Sequence, residues 1–126
     1  MGEKSPTVSV FRSSPDAESF AAGVAVFREG DPGDCMFVVQ EGEVDIRVGD
    51  TVVETLGPGG VAGEMALIDA GGRSASAVAR SDAKLVRVDE RRFKFLVQQH
   101  PFFAIEVMRI MARRLRKMDA RLADRT

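Results

Sequence analysis

The chain has no tryptophan and no tyrosine, and only one cysteine and one histidine among 126 residues. Each scarcity removes a class of function. Cys35 cannot close an internal disulfide, and with His100 as the sole imidazole it makes no metal site. No apolar run approaches the roughly 20 residues of a membrane-spanning helix, and no signal-peptide pattern opens the sequence. The expectation is a cytoplasmic protein with no membrane role. Without Trp or Tyr, intrinsic fluorescence would report little.

What is present fits a single domain with a real core: 44% hydrophobic and 29% charged residues, with a formal net charge of −1. The charge is unevenly spread. Residues 28–69 hold ten acids and two bases, whereas residues 70–100 and 101–126 each carry a net +4. An acidic first half repels a nucleic-acid backbone, so no nucleic-acid partner is expected. A small phosphate can still bind there through local amides and a guanidinium.

Residues 1–19, with Gly, Ser, Pro and Glu and little apolar periodicity, read as a flexible lead-in to a domain over 20–126. From there glycines punctuate short β-like segments at 25–28, 35–40, 43–48, 51–56, 76–80 and 83–89. In the third, Val44, Ile46 and Val48 alternate with Asp45 and Arg47, the pattern of a half-buried strand, and Gly49-Asp50 makes a hairpin turn. Such spacing implies a sandwich or jelly roll. Asp89 can cap a helix running to Gln99, and Pro101 opens the next. Over 102–124, Met108, Met111, Leu115, Met118 and Leu122 recur at spacings of 3, 4, 3 and 4. This seam suits a lid or a homodimer contact, with Arg113, Arg114, Arg116 and Lys117 as a solvated cationic face. The fold expected is mainly β, with C-terminal helices.

The most telling stretch is Gly63-Glu-Met-Ala-Leu-Ile, followed by Arg73-Ser-Ala-Ser. Gly63 allows close approach of backbone to a ligand. The N–H groups of Met65 and Ala66 open a helical turn where an anion is favoured. Arg73 supplies a planar fork for phosphate oxygens, and Ser74, with Ala75 after it, adds backbone N–H and a hydroxyl. Glu64 is the odd member, since a carboxylate repels phosphate. It makes sense facing a ribose hydroxyl, and a ribose joined to a phosphate is a nucleotide. Nothing is placed as a nucleophile or general base, so no enzyme, no metal and no cofactor is expected.

Those residues resemble the phosphate-binding cassette of cyclic nucleotide-binding domains. The run from Phe27 to Val44 is similar to that family's strand–turn–strand signature. Together they cover about residues 20 to 122. The resemblance implies a double-stranded β-helix (jelly roll) with a short phosphate-binding helix and a C-terminal lid or dimerisation helix. It implies a cyclic purine nucleotide as ligand, cAMP first and cGMP as the alternative. Gly63, Glu64, Met65, Ala66, Arg73, Ser74 and Ala75 would hold the sugar phosphate, and Met118 and Asp119 would lie nearest the purine. The chain departs from the family in having Ala62 where Phe is frequent and Gly72 where Pro is frequent. The readings left standing are a sensing module, a binding-deficient interaction domain of the same fold, and the sensor part of a transcription regulator. The downstream effector is not encoded in these residues.

Overall fold

The computed structural model describes residues 7–69 and 71–124, with side chains through Met118. Eight strands precede and surround three helices. They are β1 (Glu18–Phe20), β2 (Ala25–Phe27), β3 (Cys35–Glu41), β4 (Val44–Val48), β5 (Thr51–Leu56), β6 (Val61–Ala62), β7 (Ser76–Ala79) and β8 (Ala83–Asp89). The helices are α1 (Met65–Ile68), between β6 and β7, then α2 (Glu90–Gln99) and α3 (Pro101–Asp124). Two four-stranded antiparallel sheets form, in the orders β1-β8-β3-β6 and β2-β7-β4-β5. They face each other as a jelly roll, with α2 and α3 on the outer face of the first.

Strand β3 explains the layering. Its side chains alternate between two faces, and both are covered: Cys35, Phe37 and Val39 enter the roll, while Met36 and Val38 meet the helices. A strand buried on both sides needs the unbroken apolar run Cys-Met-Phe-Val-Val rather than alternation. The outer core joins Met36, Val38, Val86 and Val88 to Leu96 of α2 and to Phe103, Val107 and Ile110 of α3. Asp89 caps α2 as expected, accepting from the Arg92 N–H at 2.8 Å.

Two expectations need correction, and the packing face of α3 can be assigned. The lead-in is not loose as far as residue 19: Val8 and Phe11 are buried in the outer core, and β1 begins at Glu18. The Val8 N–H donates to the Gly59 carbonyl at 2.7 Å, and Phe11 packs edge-on against Phe103 with ring centroids 6.3 Å apart. Residues 1–6 lie outside the described residues. Asp45, expected on the solvent face of β4, is buried, because Thr55 donates to it at 2.8 Å and Arg80 lies 3.6 Å away. The Met seam of α3 is mostly outside the core. Met108, Leu115 and Met118 are exposed, Met111 is half-buried, and Leu122 falls beyond the described side chains. The stripe that packs inward is instead Phe103, Val107, Ile110 and Arg114, spaced 4, 3 and 4.

Phe11→Ala should therefore cost about 3–5 kcal/mol, the usual range for emptying a buried aromatic site. Urea unfolding measures it, and a loss under about 1 kcal/mol would make the segment dispensable. No helix among the described residues is long and apolar enough to cross a membrane.

Candidate functional site

The cassette runs from the end of β6 through α1 to the start of β7, and two constraints bring its ends together. Gly63 has φ of +78°, a conformation that any side chain would strain. A side chain there would also collide with the Arg73 guanidinium. At the other end, the backbone of Arg73 is clamped by the β2–β3 turn. Its N–H donates to the Asp31 carbonyl at 2.7 Å, and its carbonyl accepts from the Gly30 N–H at 2.8 Å. The Phe27–Val44 signature and the cassette thus meet in space, with Pro32 and Gly72 forming a bridge between them.

Glu64 and Arg73 are among the few buried charged residues, 5% and 8% exposed. Arg73 lies over the Phe27 ring, its Cζ 4.2 Å from the centroid. Its Nη1 donates to the Gly63 carbonyl at 3.2 Å and its Nη2 to the Cys35 Sγ at 3.7 Å. Its buried Nε has no acceptor among the described residues. A Cβ on Gly33 would stand 2.5 Å from that nitrogen, so the glycine makes room for the side chain. Cys35 also accepts from Arg87 at 3.6 Å. Burial raises the pKa of its thiol, and Arg87 and Arg73 only partly oppose this, so the group stays protonated at neutral pH.

Glu64 does not cap α1: its carboxylate makes no cap hydrogen bond. It pairs with Arg114 of α3, Oε2 to Nη1 at 2.6 Å. The same guanidinium pairs through Nε with Glu54 Oε1 of β5 at 3.1 Å, and through Nη2 with the Val61 carbonyl of β6. Burial works against the Arg114 charge, and Glu64 and Glu54 more than offset it, so its pKa lies above the usual value. The solvated cationic face expected of α3 thus loses Arg114. The reason is the stripe it completes, since an arginine in register with Phe103, Val107 and Ile110 must turn inward. That register is the sequence signal for Arg114; Glu54 has none.

The remaining expected residues divide. Helix α1 is only four residues long, too short for much of a macrodipole. The Ala66 N–H is not bare, since it donates to the Gly63 carbonyl at 3.2 Å, whereas the Met65 N–H has no acceptor among the described residues. Ser74 is exposed beside Arg73, and Ala75 is half-buried where β7 begins. Met118 is exposed, one helical turn beyond Arg114. The side chain of Asp119 lies outside the described residues. Among the described residues no cluster of metal-ligating side chains occurs.

Residues 17–100 match the model of the cyclic nucleotide-binding domain. The cyclic AMP receptor protein of Thermus thermophilus is 35% identical over 108 residues, which cover 82% of this chain and 50% of the relative. A CRP-like cAMP-activated global transcriptional regulator of Mycobacterium tuberculosis is 32% identical over 110 residues, covering 83% of this chain and 49% of the relative. The chain thus spans about half the length of the curated relatives it matches. The crystal structure of the Thermus thermophilus catabolite activator protein superposes with a TM-score of 0.75 at 34% identity, over 86% of this chain and 53% of the other. Sequence motif, roll and matched relatives agree, and the chain belongs to the cyclic nucleotide-binding domain family.

Proposed function

We propose that the chain is a non-enzymatic sensor that binds a cyclic purine nucleotide, cAMP in the first place, in the cassette. One observation carries the reading: the buried guanidinium of Arg73 reaches back to the Gly63 carbonyl, next in the chain to the buried carboxylate of Glu64. Burying two charges is costly unless each has something to hold. Arg73 keeps a buried N–H without an acceptor among the described residues, a cost of about 1–3 kcal/mol that a phosphate oxygen would cancel. The Met65 amide and Ser74 complete the phosphate grip, and Glu64 accepts the ribose 2′-OH. The base sits between the roll and α3, near Met118 and Asp119, with Ser74 leaving cGMP as the alternative. No step of bond breaking is needed.

The pairing of Glu64 with Arg114 links occupancy to helix position. A ligand bound better in one placement of α3 than another shifts the helix population without chemistry. Exposed Met108, Leu115 and Met118 give that helix a face for a second copy of the chain. The relatives are about twice as long and one is a transcriptional regulator, which supports a role as the sensing half of a longer regulator.

The test is thermal stability with added nucleotide. A ligand at a hundredfold excess over Kd should stabilise by about 2.7 kcal/mol. If Glu64 reads the sugar, 2′-deoxy-cAMP should bind far more weakly, because a buried acceptor loses its donor. The rival reading is an interaction domain that keeps the fold without affinity, and it is favoured by the ion pair that already occupies Glu64. No shift at millimolar cAMP or cGMP would establish the rival.

A further inference from the structure

We propose that Glu54 is a positioning residue for ribose recognition, acting through Arg114 to keep Glu64 open to the sugar; this rests on the reading that Glu64 takes the ribose 2′-OH. Strand β5 explains how an acid comes to be there. Its pairing with β4 shifts register between Ile46 and Arg47: Ile46 faces Glu54, and Arg47 faces Val52. Val53 is the extra residue of a bulge, a device that re-aims neighbouring side chains. With Leu56 opposite Val44 and Glu54 opposite Ile46, both lie on the face of β5 that turns into the roll. Leu56 is buried there, and the Glu54 side chain is only 14% exposed.

Glu54 therefore stands at the mouth of the roll, where Arg114 comes down from α3. Each of the three guanidinium nitrogens has its own partner: Nε has Glu54, Nη2 the Val61 carbonyl and Nη1 Glu64. The first two partners belong to the sheets and hold the guanidinium plane whatever Glu64 does. Glu64 then meets Arg114 through one nitrogen on its Oε2, which leaves Oε1 for a hydroxyl. An arginine freed of Glu54 would turn its two-nitrogen edge onto Glu64, the fork-to-fork pairing that carboxylates favour. Both oxygens would then be engaged, and a ribose hydroxyl would have to displace one.

The consequence is selective. Loss of Glu54 should weaken ligands that present a 2′-OH and spare those that do not. Calorimetric titration of cAMP and 2′-deoxy-cAMP against the full chain, Glu54→Gln and Glu54→Ala tests it, with thermal melts alongside. In Glu54→Ala the cAMP affinity should fall about tenfold while 2′-deoxy-cAMP changes less than twofold. Glu54→Gln keeps an oxygen acceptor for the Arg114 Nε, so it should lose about threefold for cAMP alone. The ratio of the two nucleotides is the readout, because mere loosening of β5 would weaken both alike. Equal losses for the two nucleotides, or an unchanged ratio in both variants, would overturn the proposal. If the unaltered chain binds neither nucleotide, the sensing function fails with it. If it binds both equally, Glu64 does not read the sugar.

Discussion

Arg73→Ala should lower the affinity for cAMP by about 30- to 1,000-fold, or roughly 2–4 kcal/mol. The magnitude comes from removing charge-assisted bonds, at about 1.5–3 kcal/mol each, from a side chain that is itself largely buried. The empty protein should lose much less. Arg73 contributes a cation–π contact with Phe27 and a 3.2 Å bond to the Gly63 carbonyl. Against these stand a buried charge and an Nε with no acceptor among the described residues. The two sides nearly cancel, so the melting temperature without ligand should move by only a few degrees while ligand-induced stabilisation disappears. Arg73→Lys retains the charge but not the planar fork and should fall between. Isothermal titration decides it, and a change below threefold would remove Arg73 from the phosphate.

The second large effect is on stability. Arg114→Ala should destabilise the domain by about 3 kcal/mol, the low end for breaking a buried ion pair. The low end applies because 24% of the Arg114 side chain is open to solvent. The cost arises from what is left behind: Glu54 and Glu64, both largely buried, lose their shared cation and repel each other. For a domain of this size that is a drop of roughly 10 °C in melting temperature. Arg114→Ala combined with Glu54→Gln should recover part of the loss by removing one of the stranded charges. A variant as stable as the parent would mean that the three-way pairing holds nothing together.

The cassette and most strands are legible in the sequence because each rests on local chemistry. Gly63 marks a turn that only glycine fits, Asp89 caps helix α2, and Cys35 to Val39 is apolar enough to be buried on both sides. The lead-in is opaque because Val8, Val10 and Phe11 make an apolar cluster too short to show a period; they join the core only because α3 and the β5–β6 turn arrive beside them. Asp45 is hidden for a related reason, since its partners Thr55 and Arg80 come from other parts of the chain. On α3 two apolar stripes compete. The Met seam is the longer, with five apolar positions, whereas Phe103, Val107 and Ile110 win the core through bulk and branching. Arg114 accompanies them inward, and with it goes the link between Glu64 and Glu54, which needs three distant segments at once.

Helix α3 spans 24 residues, about 36 Å of rigid rod. Arg114 fastens it to the roll ten residues before its last turn ends at Asp124, so about 15 Å of helix projects past the fastening point. A pivot of about ten degrees there would swing the position of Asp124 sideways by about 2.6 Å on that geometry. An adjustment the size of a single hydrogen bond at Glu64 would thus become a displacement large enough to break or make packing against whatever meets the tip.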